Sequence, residues 1–151
     1  MNLTWAQPEE RPKGSSAPQP DEEGSPDRRA NALRVLVVED EALIAMELES
    51  ILEQQGHEVV DAVATEADAI AAARLTRPDL VLMDVRLAWG GDGVATAIRL
   101  RQELGIRSIF ITAQSDQVTR ARAAAAEPDG FLGKPLSPDL LAKLIREAFG
   151  S

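Results

Sequence analysis

The chain has 151 residues and a formal net charge of −9, with 25 Asp and Glu against 16 Lys and Arg. That length suits one domain with room for a modest extra segment. The acidic balance speaks against nucleic acid as a partner, since phosphate is repelled, and two Trp, three Phe and no Tyr leave little to stack bases on.

Cysteine is absent, so neither a disulfide framework nor a thiolate metal site can form. Together with the lack of a charged segment followed by an apolar core at the N-terminus, this leads to the expectation of a cytoplasmic protein. No apolar run approaches the roughly 18–20 residues of a membrane helix, so no membrane association is expected.

Residues 1–31 hold five of the nine prolines (Pro8, Pro12, Pro18, Pro20, Pro26) among Ser, Gly, Gln and mixed charge. Apart from Leu3 and Trp5 they offer almost nothing to bury, and a disordered N-terminal tail is expected. The domain proper is read as residues 32–151.

From Leu33 the texture changes. "LRVLVV" (33–38) is a continuous β-branched run, the pattern of a strand covered on both faces. "EALIAMELESILEQQG" follows with Leu43, Ile44, Leu48, Ile51 and Leu52 at helical spacing and Gly56 as a stop. "HEVVDAVA" (57–64) reads as a strand, and "TEADAIAAARLTRP" as a helix capped by Thr65 and closed before Pro78. "DLVLMD" (79–84) is the third strand, and the next helix starts at a cap, Asp92, and runs to Gly105. "IRSIFIT" (106–112) is the fourth strand, and "SDQVTRARAAAAEP" is helical until Pro128. "GFLGKP" (130–135) is a short strand, and the last helix has Ser137 as N-cap and Pro138 in its first position.

Five strands each followed by a helix predict an α/β fold, a five-stranded parallel sheet with helices on both faces. In such sheets a ligand site lies beyond the carboxyl ends of the strands. Those ends carry Glu39, Asp40 and Glu41 after the first strand, Asp84 after the third, Thr112 and Ala113 after the fourth, and Lys134–Pro135 after the fifth. A cluster of carboxylates needs a positive partner. Lys134 offers one, and Mg²⁺, which takes oxygen ligands including one or two carboxylates, offers another. An acid so neutralised can stay ionised and act as a nucleophile.

"VLVVEDE" (35–41), "LVLMDVRL" (80–87), "FITA" (110–113) and "FLGKP" (131–135) resemble the receiver domain of two-component response regulators. The resemblance covers residues 33 to about 150. It implies the (βα)5 flavodoxin-like fold with strand order 2-1-3-4-5. It implies Asp84 as phosphoacceptor, taking a phosphoryl group from a sensor histidine kinase or a histidine phosphotransfer protein. Glu39 (through a water), Asp40, Asp84 and the backbone carbonyl of Arg86 would hold Mg²⁺. Lys134 and Thr112 would contact the phosphoryl oxygens, and Thr112 with Phe131 would switch the face made by the fourth helix, last strand and last helix. Phe131 as ordinary core stays open. A cis Lys134–Pro135 bond is implied too. The chain would be no enzyme in the usual sense, beyond catalysing its own phosphotransfer and slow dephosphorylation.

The pattern is broken in places. The loop "VRLAWGGDG" (85–93) has Ala88 where the family has proline and is one residue longer, which places Trp89 among glycines. A mobile lid, a contact to the kinase, or a ring packed back on the helices are all open for it; kinase docking is the reading taken. Arg86 and Gln114, two past the acceptor and two past the threonine, should tune phosphoryl lifetime. The alanine-rich fourth helix, ending at Glu127–Pro128 where the family has Gly-Ala, is expected to pack loosely. His57, the single histidine, reads as a surface residue rather than a phosphodonor.

A DNA-binding effector would need about 60 or more further residues, so a stand-alone receiver with an unknown downstream protein is expected. A phosphate sink for a shared kinase and a phosphorylation-independent adaptor are the alternatives, and a homodimer is left open. A hydrolase with an aspartyl intermediate is disfavoured, because Arg86 occupies the place of its general acid.

Overall fold

The computed structural model describes residues 32–113 and 117–150. The stretch 1–31, expected as a tail, lies outside them, as does Gln114. The five strands are β1 (Arg34–Val38), β2 (Glu58–Val63), β3 (Leu80–Asp84), β4 (Arg107–Thr112) and β5 (Phe131–Gly133). The helices are α1 (Ala42–Gln54), α2 (Glu66–Thr76), α3 (Gly93–Leu104), α4 (Gln117–Ala123) and α5 (Pro138–Phe149). All strand pairings are parallel, in the order β2-β1-β3-β4-β5. That is the order the resemblance implied.

Alternation along the strands divides the apolar residues between two cores. Val35, Val37, Leu80, Leu82, Ile109 and Ile111 face Leu48, Ile51 and Leu52 of α1 and Leu141 and Ile145 of α5. Leu36, Val38, Val81, Met83 and Phe110 face the other way, against α2, α3 and the alanines Ala123 and Ala126. β1 and β3 are therefore buried on both faces, which is why they read as unbroken apolar runs.

Local chemistry sets the helix ends. Oγ1 of Thr65 accepts the Asp68 N–H, Oδ1 of Asp92 accepts those of Val94 and Ala95, and Oγ of Ser137 accepts that of Leu140. Several sequence expectations need correction. Leu43 is not core: at 78% exposure it sits on the solvent side of α1, leaving Leu48, Ile51 and Leu52 as the buried stripe. The fourth helix is shorter than its sequence suggests. After Ala123 it tightens into a 3-10 turn, Ala124–Ala126, and Glu127 takes a left-handed φ of 48° ahead of Pro128. Its buried contacts come from Ala123 and Ala126, both completely covered, so the small side chains pack closely.

His57 is half-buried rather than on the surface, because its Nδ1 accepts the Leu33 N–H at 3.0 Å. That bond requires the neutral ring, and burial lowers its pKa from 6.5. With the folded value below the unfolded one, the His57 contribution is whole above pH about 6.5 and is lost as the pH falls below it. Between about pH 7.5 and pH 5.5 the wild type should lose more unfolding free energy than His57→Gln, by a small margin because the ring is only half-covered. Equal losses in urea titrations of the two proteins would remove His57 as the responsible group.

Candidate functional site

Parallel strands of similar length end together, so their last residues surround one crevice. Here it has a volume of about 600 Å³ and is lined by Asp40, Glu41, Asp84, Arg86, Thr112 and Lys134, with Val85, Ala113 and Thr119. Asp84, the last residue of β3, is 6% exposed, held at the crevice floor by the pairing of its strand with β1 and β4. Its Oδ1 accepts the Arg86 N–H at 3.3 Å. Glu39 and Asp40 arrive from β1. Glu39 is 3% exposed and Asp40 is at the surface. Thr112 ends β4 and is buried, and its carbonyl accepts the Lys134 N–H at 3.2 Å, which ties the β5 end to the β4 end.

One ammonium serves three carboxylates. Nζ of Lys134 lies 3.3 Å from Glu41, 3.4 Å from Glu39 and 3.6 Å from Asp84. Burial draws the lysine pKa down, but Asp84, Glu39 and Glu41 together outweigh it and hold the ammonium above its ordinary value. For Glu39, burial and next the adjoining Asp84 carboxyl push the pKa from 4.5 up to about 7, against the opposing pull of the Glu41 amide and Lys134. The sign is opposite to that at His57. The Glu39 contribution to stability is whole below pH 4.5 and is lost as the pH rises through about 7.

The donor set fits a hard cation. Carboxylate oxygens of Glu39, Asp40 and Asp84 lie within 4.8 Å of one another. Among the described residues, Oε1 of Glu39 is buried and accepts no hydrogen bond; Lys134 is near it but not in hydrogen-bonding geometry. A buried, acceptor-only oxygen among other carboxylates is what an oxygen-coordinated divalent ion satisfies.

The loop after Asp84 is tied down at several points. The Leu87 N–H reaches the Gly91 carbonyl, the Ala88 N–H reaches Ala64, and Arg86 bridges Asp92. Within it Ala88–Gly90 forms a 3-10 turn, and Trp89 takes the left-handed φ of 63° and stands 93% exposed. The Arg86 side chain is exposed as well. Phe131 is half-buried, its ring stacked on Phe110 at a centroid distance of 5.6 Å and covered by the Arg120 guanidinium at 4.3 Å. Arg122, on the same helix, pairs with Oδ2 of Asp92 at 2.5 Å.

Sequence reasoning missed Gly93, whose importance is steric. A Cβ there would lie 1.8 Å from the Asp84 carbonyl oxygen. The Asp-Gly pair at 92–93 was a usable signal for a helix start, but not for that close approach.

The sequence profile of the family described as "Response regulator receiver domain" matches residues 35–146. The chain belongs to the response regulator receiver family. The receiver is similar to the phyllosphere-induced regulator PhyR of Methylorubrum extorquens, 34% identical over 118 residues that make up 78% of this chain and 43% of that protein. It is similar to the transcriptional regulatory protein PdtaR of Mycobacterium tuberculosis, 40% identical over 106 residues, 69% of this chain and 50% of that one. The chain thus spans half or less of the length of these curated relatives. Among solved structures, the signal receiver domain of a modulated diguanylate cyclase from Desulfovibrio desulfuricans G20 superposes with a TM-score of 0.73 at 37% identity, covering 78% of this chain and 94% of that one. PhyR from Brucella abortus gives 0.68 at 36%, covering 78% and 48%. The receiver is a two-component signalling domain, of a family in which phosphorylation and Mg²⁺ at an acidic pocket are typical. Among the described residues no helix is long and apolar enough to cross a membrane.

Proposed function

We propose that this receiver accepts a phosphoryl group on Asp84 from a histidine kinase or histidine phosphotransfer protein and passes the signal on by a conformational switch. The observation that carries the reading is the buried Asp84 carboxylate at a crevice floor, 3.6 Å from the Lys134 ammonium and beside two further acids. A carboxylate oxygen of Asp84 attacks phosphorus. A P–O bond forms, the P–N bond to the donor imidazole breaks, and its electron pair stays on the imidazole nitrogen. Little covalent work falls to the protein, so its contribution is positioning and charge. Lys134 meets the phosphoryl oxygens as a mobile point charge. Thr112, at the adjoining strand end, donates its hydroxyl to one of them. Glu39, Asp40, Asp84 and the Arg86 carbonyl would hold Mg²⁺, which supplies further positive charge at the phosphoryl group.

The output is a population shift between two packings. Movement of Thr112 toward the phosphoryl oxygens alters the connection to α4, whose Arg120 lies over Phe131; the stack of Phe131 on Phe110 is the arrangement from which the ring would depart. Arg86, two past the acceptor, and Gln114, two past Thr112 in sequence, tune the phosphoryl lifetime. Trp89 serves as an anchor for the phosphodonor protein, a role supported by its exposure in the loop that follows the acceptor and by the hydrogen bonds that tie that loop down. Trp89→Ala should slow transfer from a histidine phosphodonor that labels the wild type by tenfold or so, while labelling by acetyl phosphate stays within about twofold. Unchanged transfer from the protein donor would remove Trp89 from that role.

The deciding experiment mixes the protein with Mg²⁺ and acetyl phosphate and follows an alkali-labile mass gain of about 80 Da. Persistence of that adduct in Asp84→Asn would refute the assignment. Its absence from the wild type as well would favour an adaptor that works without phosphorylation.

A further inference from the structure

Glu41 occupies the N-cap position of α1, with extended backbone (φ −88°, ψ 112°), yet its side chain makes no capping hydrogen bond. Asp, Asn, Ser and Thr cap from that place by turning back onto the first amides of the helix; the Glu side chain is one methylene longer and is free to reach elsewhere. Here the carboxylate instead reaches across to the end of β5 and accepts a hydrogen bond from Lys134 at 3.3 Å. The Glu41 backbone N–H meanwhile donates to Oε2 of Glu39 at 3.1 Å, so the backbone is bound to the acidic floor while the side chain stands at the rim. The three partners of Lys134 differ in kind. The Glu39 and Asp84 side chains are 0% and 9% exposed and belong to the floor; the Glu41 side chain is 63% exposed.

An ammonium has three N–H donors and an already crowded ring of acceptors here. A phosphoryl group on Asp84 brings further anionic oxygens, and turning the ammonium toward them draws it away from Glu41, its one hydrogen-bonded carboxylate among the three and the one that solvent can take over. We propose that Glu41 competes with the phosphoryl group for Lys134, and so is a positioning residue that weakens the receiver's hold on a phosphoryl group. The proposal rests on the reading of Asp84 as phosphoacceptor. Removing the Glu41 charge orphans no buried group, so the fold is untouched and the lysine is released to the site. An exposed pair of this kind supports an effect of about threefold, rather than orders of magnitude.

The test is a titration of the Mg²⁺-saturated protein with beryllofluoride, an anion that takes the place of a carboxylate-bound phosphoryl group, followed by amide NMR of Thr112 and Gly133. Glu41→Gln should bind about threefold more tightly than the wild type, and the difference should shrink in about 0.5 M NaCl, which screens exposed charges. Glu41→Asp keeps the charge but shortens the arm by one methylene, and it too should bind more tightly, since contact with Lys134 is lost. Equal or weaker binding by Glu41→Gln overturns the proposal. So does tighter binding by Glu41→Gln alone with Glu41→Asp like the wild type, because charge at the rim rather than pairing would then be the cause. A wild type that fails to bind, or an Asp84→Asn that binds as well, overturns the phosphoacceptor reading itself, and the proposal with it.

Discussion

Asp84→Asn is expected to abolish the alkali-labile adduct completely and, in metal-free protein, to raise the free energy of unfolding by about 1 kcal/mol. The two effects share one cause. Glu39 and Asp84 are buried side by side, carboxylate oxygens of Asp40 lie within 4.8 Å of theirs, and among the described residues the Lys134 ammonium pairs with Glu39, Glu41 and Asp84. Like charges held this close resist ionisation, and the carboxyl of Glu39 is pushed up to about 7, first by burial and then by Asp84. Because burial is the larger cause, only part of that shift returns when Asp84 becomes an uncharged amide, which keeps the expected gain near 1 kcal/mol. Added Mg²⁺ should reverse the ranking, stabilising the wild type more than the variant, since binding to the folded state alone raises stability. Urea titrations with a chelator and then with Mg²⁺ check both halves. A loss of stability in the chelated variant would mean that the ionic contact of Asp84 with Lys134, at 3.6 Å, outweighs the repulsion.

Gly93→Ala should destabilise the receiver by about 3 kcal/mol and slow phosphorylation by acetyl phosphate at least tenfold. The added Cβ would lie 1.8 Å from the Asp84 carbonyl oxygen, 2.9 Å from its carbon and 3.0 Å from the Val85 carbonyl oxygen. These are backbone atoms, with no rotamer to give way. The Gly93 N–H also donates to Val85 at 2.8 Å, so α3 starts against the peptide that carries the acceptor. Relief of the clash must move either the helix or Asp84, and a shift of the nucleophile by a fraction of an ångström is felt in rate. A stability loss under 1 kcal/mol with an unchanged rate would mean that the loop absorbs the methyl group, contrary to its several tethers.

Most of the frame was legible in the chain because its signals are local. The unbroken apolar runs of β1 and β3, the caps Thr65, Asp92 and Ser137, and the strict alternation of strand and helix are each read within a few residues. Convergence of Asp84, Lys134, Thr112 and Asp40 on one crevice, with Glu39 buried beside them, followed from parallel topology, with the family motifs supplying the strand order. What escaped is long-range. The reach of Glu41 to Lys134 spans 93 positions and that of Arg122 to Asp92 spans 30, and nothing in either neighbourhood announces the other. The constraint at Gly93 went unread because a collision is invisible without the opposing backbone. Leu43 fits a helical apolar stripe as well as its buried neighbours do, and only the direction of the sheet decides that it faces solvent.

The way α4 is fastened has a consequence of its own. Among the described residues, the side chains it buries completely are two methyl groups, Ala123 and Ala126, and its outer connections include Arg122 to Asp92 and Arg120 over Phe131. Dispersion and burial over so small an area give little stiffness, and half-exposed ionic contacts contribute at most about 1 kcal/mol each. In mechanical terms α4 is a lever mounted on soft springs. A small push from the acceptor side can displace it, and ionic strength sets the spring constant. Dilute and concentrated salt should therefore place the same unphosphorylated receiver at different distances from its signalling threshold.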